Sequence, residues 1–239
     1  MDRGSTEPAS RPDAARPRFE PVPKPRGGLR WLTRLDPAGD IVYREAVRPV
    51  AGRIERSLGP EVFAPRTGPG PGGWRLASWT PARVAWRRTL RAAIRGATRG
   101  TTFAFADVRD CYGSISPGTI GALLGPEAAP AVAVLRHLHD HGVRGLPVGP
   151  DPSAVLASAA LSILDRAIRS SGVRHVRWVD DVVLWGATAD VGRALGALAA
   201  AAAAIGLDLH GEKTRILADR LELRAVLLDA RDSSIIAAP

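Results

Sequence analysis

Two carboxylates stand side by side in Trp178-Val179-Asp180-Asp181, with β-favouring residues before and after them between Arg174 and Trp185. Neighbouring strand residues point to opposite faces, so both acids reach one site only from a tight turn, and a hairpin is expected. Like charges that close raise one another's pKa unless a cation neutralises them. A hard divalent ion suits, because it takes oxygen ligands and keeps positions open for phosphate. Asp107 closes another apolar run, Thr102 to Asp107. If a sheet sets that strand end beside the hairpin tip, three carboxylates can hold two ions about 4 Å apart, the arrangement for moving a phosphoryl group. Taken singly, each piece has a plainer alternative: a polar hairpin turn for the pair, a turn-capping residue for Asp107.

The chain has 33 Lys and Arg residues, yet only Lys24 and Lys213 are lysines. Arginine keeps its proton near neutrality and lysine can be tuned to release it, so Lys213 is the candidate general acid for a departing pyrophosphate. A solvated turn lysine is the alternative.

Several elements must position these groups. Helices are expected near Ile41 to Leu58, from Thr80 to about Ala97, from Pro126 to His141, from an Asp151 N-cap to about Ser170, and from Ala189 to Ile205. A Gly/Pro loop is expected at Thr67 to Gly73. On the Thr80 helix, Arg83, Arg87, Arg91 and Arg95 recur every fourth residue and read as a basic stripe, with Trp74 and Trp79 as stacking surfaces for nucleic acid. A solvated helix face is the alternative. Residues 1 to 27, rich in Pro and Arg, read as a disordered arm. The whole is expected to be an α/β protein.

The formal charge of +9 makes a polyanion the first partner to consider. One cysteine, Cys111, excludes an intramolecular disulfide and a multi-cysteine zinc module. The polar N-terminus shows no signal peptide, and the apolar run at Ala199 to Ile205 is too short to span a bilayer. No membrane association and a cytoplasmic location are expected.

The run Asp107-Val108-Arg109-Asp110-Cys111-Tyr112-Gly113-Ser114-Ile115 resembles the first palm motif of reverse transcriptases. Gly145-Leu146-Pro147-Val148-Gly149-Pro150 is similar to their template-grip motif, Trp178-Val179-Asp180-Asp181 to their aromatic-x-Asp-Asp hairpin, and Gly206-Leu207-Asp208-Leu209 with Glu212-Lys213-Thr214 to their lysine motif. Each piece is weak alone; four in order over about 110 residues are specific. The Val-Gly-Pro form and the segment Asp40 to Glu45 resemble bacterial abortive-infection and other defence-associated members most.

That resemblance implies a right-hand polymerase: fingers over 28–100, a ferredoxin-like palm over 101–220, and a short tail over 221–239. It implies an RNA-directed DNA polymerase using two Mg²⁺ ions, with Mn²⁺ as the substitute, on an RNA template with a DNA or RNA primer and deoxynucleoside triphosphates. Asp107, Asp180, Asp181 and the carbonyl of Val108 would hold the metals, and Lys213 would act as the acid. Tyr112 would lie under the incoming sugar, Gly149 and Pro150 would let the template approach, and Arg66 and Arg75 would contact the triphosphate. Tyr112 as core packing and Gly149-Pro150 as a simple strand-to-helix loop are the alternatives. Two departures stand out: Val148 replaces a frequent Gln, and only 25 residues follow Thr214, with no Phe-Leu-Gly primer-grip signature. A thumb therefore looks absent, to be supplied by a partner chain or a structured RNA. A catalytically silent scaffold binding RNA or a partner protein is the rival function. Zinc chemistry at His137, His139, His141 and Asp140 is a weaker one, because three histidines near a helix C-terminus already suit its dipole.

Overall fold

The structure, a computed structural model, describes residues 15–24, 27–217 and 223. Strands β1 (Pro17–Pro23) and β2 (Leu29–Leu35) form an antiparallel ribbon, followed by α1 (Pro37–Ser57). Next come β3 (Val62–Ala64), the short pair β4 (Thr67–Gly68) and β5 (Arg75–Leu76), and α2 (Trp79–Arg95). The second half runs β6 (Thr101–Asp107), α3 (Cys111–Ser114), α4 (Pro117–Leu124), α5 (Ala129–Asp140), α6 (Asp151–Ser170), β7 (Arg174–Trp178), β8 (Asp181–Ala187), α7 (Thr188–Ala203) and β9 (Arg215–Leu217).

Five strands make one mixed sheet in the order β3-β7-β8-β6-β9, with β3 parallel to β7 and the other neighbours antiparallel. Alternation divides its faces. Ala104, Ala106, Val182 and Leu184 join a core with α1, α4, α5, α6 and α7, whereas Phe103, Val176, Trp178, Val183 and Trp185 pack with Trp86 and Leu90 of α2. The sheet is thus covered on both faces, and α2 alone among the longer helices lies on the second.

Several expectations change. Residues 17–23, read as part of a disordered arm, form a strand paired residue for residue with β2; residues 1–14, 25 and 26 lie outside the described residues, as does the 221–239 tail except Leu223. The Pro-rich sequence tolerates pairing because Pro17, Pro21 and Pro23 share one parity, so their missing N–H groups fall on the same edge of the strand. Residues 28–100, expected as fingers, give β3 to the central sheet and a helix to each of its faces. Asp151 does not cap α6: Pro150 holds that position, and Asp151 pairs with Arg44 at 3.0 Å. The stretch Pro117–Asp140 is long and apolar enough to cross a membrane by composition. It is broken at Gly125-Pro126, and Ile120, Leu124, Leu135 and Leu138 are buried in the core.

Candidate active site

β6 and β8 pair in a register that sets Asp107 directly opposite Asp181, and Trp178 pairs with Asp181 across β7 and β8, leaving Val179 and Asp180 as a two-residue turn. Like charges directly opposite on adjacent strands oppose pairing, so this register needs another source of stability or a cation. Part of the answer is Lys213, whose Nζ donates to Asp107 Oδ2 at 2.8 Å. The segment carrying that lysine is sewn onto the Asp107 strand end: His210 N–H donates to the Asp107 carbonyl at 2.8 Å, Arg109 N–H donates to Asp208 O at 2.8 Å, and Val108 bridges Leu209.

Burial comes first in pushing the Asp180 carboxyl up to about 6, followed by the charge of Asp107. Burial also heads the causes that raise Asp181 well above the usual range, with the charges of Asp180 and Asp107 adding to it. Lys213 works the other way on both acids. The three aspartates and the lysine expected from sequence therefore share one electrostatic cluster.

Among the described residues no group of three or more His, Cys, Asp and Glu is arranged to hold a metal ion. At the aspartates, Lys213 already binds Asp107 at 2.8 Å. The donor set still fits a hard cation, being carboxylate oxygen throughout, with Asp180 and Asp181 raised by burial first and then by neighbouring carboxylates. The histidine rival has no such set. The His141 ring bonds the His137 carbonyl at 2.8 Å.

No protein-family model matches this sequence, and no curated protein matches it. Solved structures do. The apo telomerase of Candida tropicalis, truncated from its C-terminal domain, superposes with a TM-score of 0.52 at 12% identity over 84% of this chain and 49% of its own. The Candida albicans telomerase in complex with a TWJ fragment of telomeric RNA gives 0.55 at 11% identity over 90% of this chain and 43% of its own. The fold is reverse-transcriptase-like. The chain spans less than half the length of either telomerase chain.

Within this reverse-transcriptase-like fold the turn at Val179 is held from both sides. Val179 has φ of 56°, a backbone state that a β-branched residue adopts only under constraint. Its N–H donates to Ala64 O at 2.9 Å, and its carbonyl accepts from Arg177 Nη1 at 2.8 Å. Arg177 is fully buried and grips Asp165 of α6 through Nε at 2.9 and 3.0 Å and through Nη2 at 2.9 Å. Burial alone would raise Asp165, but the Arg177 charge and hydrogen bonds, with His175 3.5 Å away, outweigh it and leave the carboxyl below 3.8. This brace was not read from the sequence. An arginine two residues before the turn, on the strand parity opposite Trp178, was the available signal.

Other candidates fall differently. Tyr112, half-buried, lies within reach of the Asp180 and Arg30 charges; burial first, then neighbouring negative charge, pushes its phenol up. Burial likewise raises the Cys111 thiol beside Asp180 and keeps it protonated. Gly149 has φ of 128°, and a Cβ there would lie 3.1 Å from Thr33 O. Thr33 N–H donates to Val148 O at 2.7 Å, so the neighbour that crowds this loop in the structure is β2. Gly145 is tighter: its Cβ would meet Tyr112 O at 2.4 Å.

Arg66 and Arg75 are not brought to the carboxylates. Arg66 binds Glu55 at 2.6 Å and the carbonyls of Gly59 and Val62, and Arg75 bonds Pro69 O at 3.1 Å. The cation that does act on Asp180, besides Lys213, is Arg30 of β2, which the sequence reading placed in no role. Trp74 and Trp79 are not free stacking surfaces either. Trp74 is buried under Arg44 at 4.7 Å, and Trp79 meets Trp178 edge-on at 5.6 Å.

Proposed function

We propose that this protein is an RNA-directed DNA polymerase, with fingers and palm built from the described elements. The observation that carries the reading is the direct register of Asp107 with Asp181 across β6 and β8, beside Asp180 and under the lysine of Lys213. A fold shared with telomerase chains supports the same reaction class.

In the proposed reaction the primer 3′-oxygen forms a bond to the α-phosphorus of a deoxynucleoside triphosphate, and the bond to the bridging oxygen breaks to release pyrophosphate. Asp107, Asp180, Asp181 and the Val108 carbonyl would hold two Mg²⁺ or Mn²⁺ ions, which lower the pKa of the hydroxyl and offset charge on the departing group. Lys213, once released from Asp107, would give its proton to the pyrophosphate oxygen, while the hydroxyl proton would pass to water. Arg30 is assigned to the triphosphate and Tyr112 to the sugar, since each interacts electrostatically with Asp180. Gly149 and Pro150 border the template between α6 and β2.

The test is incorporation of labelled deoxynucleotides by the purified chain with Mg²⁺ on an RNA template–primer, on a DNA template–primer and without nucleic acid. The Asp180→Ala/Asp181→Ala variant serves as control. Incorporation on RNA that disappears in the variant is expected. Full activity in the variant, or silence of the folded wild type in all three arms, would sink the assignment and leave a non-catalytic scaffold.

A further inference from the structure

From Val62 to Ala106 the chain holds eight arginines and no Asp or Glu. The structure separates those arginines into two groups. Arg66 is used in a brace with Glu55, Arg75 bonds Pro69 O, and Arg83 is buried with its guanidinium 5.5 Å from the Trp178 ring, while Arg87 is half-buried beside it. Arg88, Arg91, Arg95 and Arg99 are all exposed, and no ion pair or side-chain hydrogen bond involves any of them among the described residues. A helix turning 3.6 residues per turn brings positions 88, 91 and 95 onto one face. Arg99 extends the row in the turn before β6.

The course of α2 gives this row a direction. The helix begins beside the catalytic turn, where Trp79 meets Trp178, and the turn after it leads to Thr101, which pairs with Ala187 at the opposite end of the sheet. It lies on the same sheet face as Asp107 and Asp181, since these continue the parity of Phe103, Phe105, Val183 and Trp185. At 1.5 Å per residue, Arg88 stands about 14 Å and Arg95 about 24 Å beyond Trp79. Successive phosphates of one strand are about 3.4 Å apart, so the row matches phosphates about four to seven nucleotides from the reacting end.

We propose that Arg88, Arg91, Arg95 and Arg99 form a track for the sugar-phosphate backbone of the nucleic acid leaving the carboxylate centre. The proposal rests on the polymerase reading and adds the path of the polyanion. Uncompensated guanidinium groups on a single face release counterions from phosphate without reading bases, so the contact is sequence-independent and sensitive to salt.

The experiment measures binding of the full chain to labelled, hairpin-capped template–primers by anisotropy across a salt series, with duplexes of about 4 or about 16 base pairs chosen from that spacing. Arg91→Gln/Arg95→Gln/Arg99→Gln is compared with Arg136→Gln/Arg166→Gln/Arg193→Gln, an equal loss of charge from α5, α6 and α7 across the sheet. The first variant should lose about tenfold in affinity for the long duplex at physiological salt, and its log–log salt slope should fall by about 2–3. Its binding to the short duplex should match that of the wild type. Equal losses in both variants would show a net-charge effect and overturn the track, as would an α2 variant that binds the long duplex like the wild type. Incorporation assayed on the same samples keeps the two readings apart. Track-dependent binding without incorporation faults the catalytic assignment, and incorporation with unchanged binding faults the track.

Discussion

Asp180 stands under two pressures, burial and the charge of Asp107, and both act against its ionised form. A folded carboxyl raised from 3.8 to about 6 holds protons that the unfolded chain has already lost, so the metal-free protein should lose stability as pH rises through that window. Thermal melts from pH 4 to pH 7 without divalent ions should show that decline, and Mg²⁺ should reverse it at neutral pH by binding the ionised form. Asp180→Asn should raise the metal-free midpoint at pH 7, by about 2–4 °C per kcal/mol of repulsion removed, and should abolish the response to Mg²⁺. A variant no more stable than the wild type without metal would contradict the strain described for the cluster. Lys213 separates charge from proton donation. Lys213→Arg keeps a cation beside Asp107 and should preserve the metal-free midpoint, yet kcat should fall about 10²- to 10⁴-fold, the usual worth of a general acid. Unchanged kcat would restrict Lys213 to the role of counter-ion. These acids and this lysine were legible in the sequence because their types and order are unusual there. Arg30 was not, since one arginine among 33 basic residues carries no local mark and only the docking of β2 brings it to Asp180.

The element that aims the acids is the β7–β8 turn, and the pair Arg177–Asp165 ties that turn to α6. Removing one partner of a buried pair strands the other charge, so Asp165→Ala should destabilise the protein by about 3–5 kcal/mol in denaturant melts. The native Asp165 carboxyl is lowered, so its contribution is complete above 3.8 and is lost as pH falls below that value. Acid titration of the wild type should therefore show a loss below pH 4 that Asp165→Asn does not share. Gly149 lies where the loop before α6 meets the ribbon, and Gly149→Ala both strains φ of 128° and crowds Thr33 O. It should raise KM for nucleotide several-fold through Arg30 with less effect on kcat; an effect on kcat alone would detach the ribbon from nucleotide binding. The helical elements α1, α2, α5, α6 and α7 were readable from apolar spacing, as was the hairpin. The basic stripe was misread for a geometric reason. Four residues advance a helix by about 400°, so a residue every fourth position drifts about 120° over three steps and cannot keep to one face. Hence Arg83 falls beside Trp86 and Leu90 in the core while Arg91 and Arg95 reach solvent.

Across the whole molecule, packing is unequal. The central sheet is covered on both faces, whereas the β1–β2 ribbon exposes Phe19, Leu29 and Trp31 and meets the rest through contacts such as Thr33 to Val148. Amide hydrogen exchange should accordingly be fast in β1 and β2 and slowest in β6 and β8. Comparable protection in both would show that the ribbon is held by more than those contacts. This ribbon and the insertion of β3 beside β7 were hidden from sequence reading, because both depend on pairing partners and not on any local period. The same dependence governs when the centre comes into being. Asp107 lies between β8 and β9, and its lysine partner stands 106 residues further along the chain. A chain emerging from the ribosome exposes Asp107 long before Asp181 or Lys213 exists, and contacts so distant in sequence close late. On the polymerase reading, the proposed nucleotide chemistry would therefore wait until the Lys213 segment and β9, the last strand among the described residues, have docked on β6.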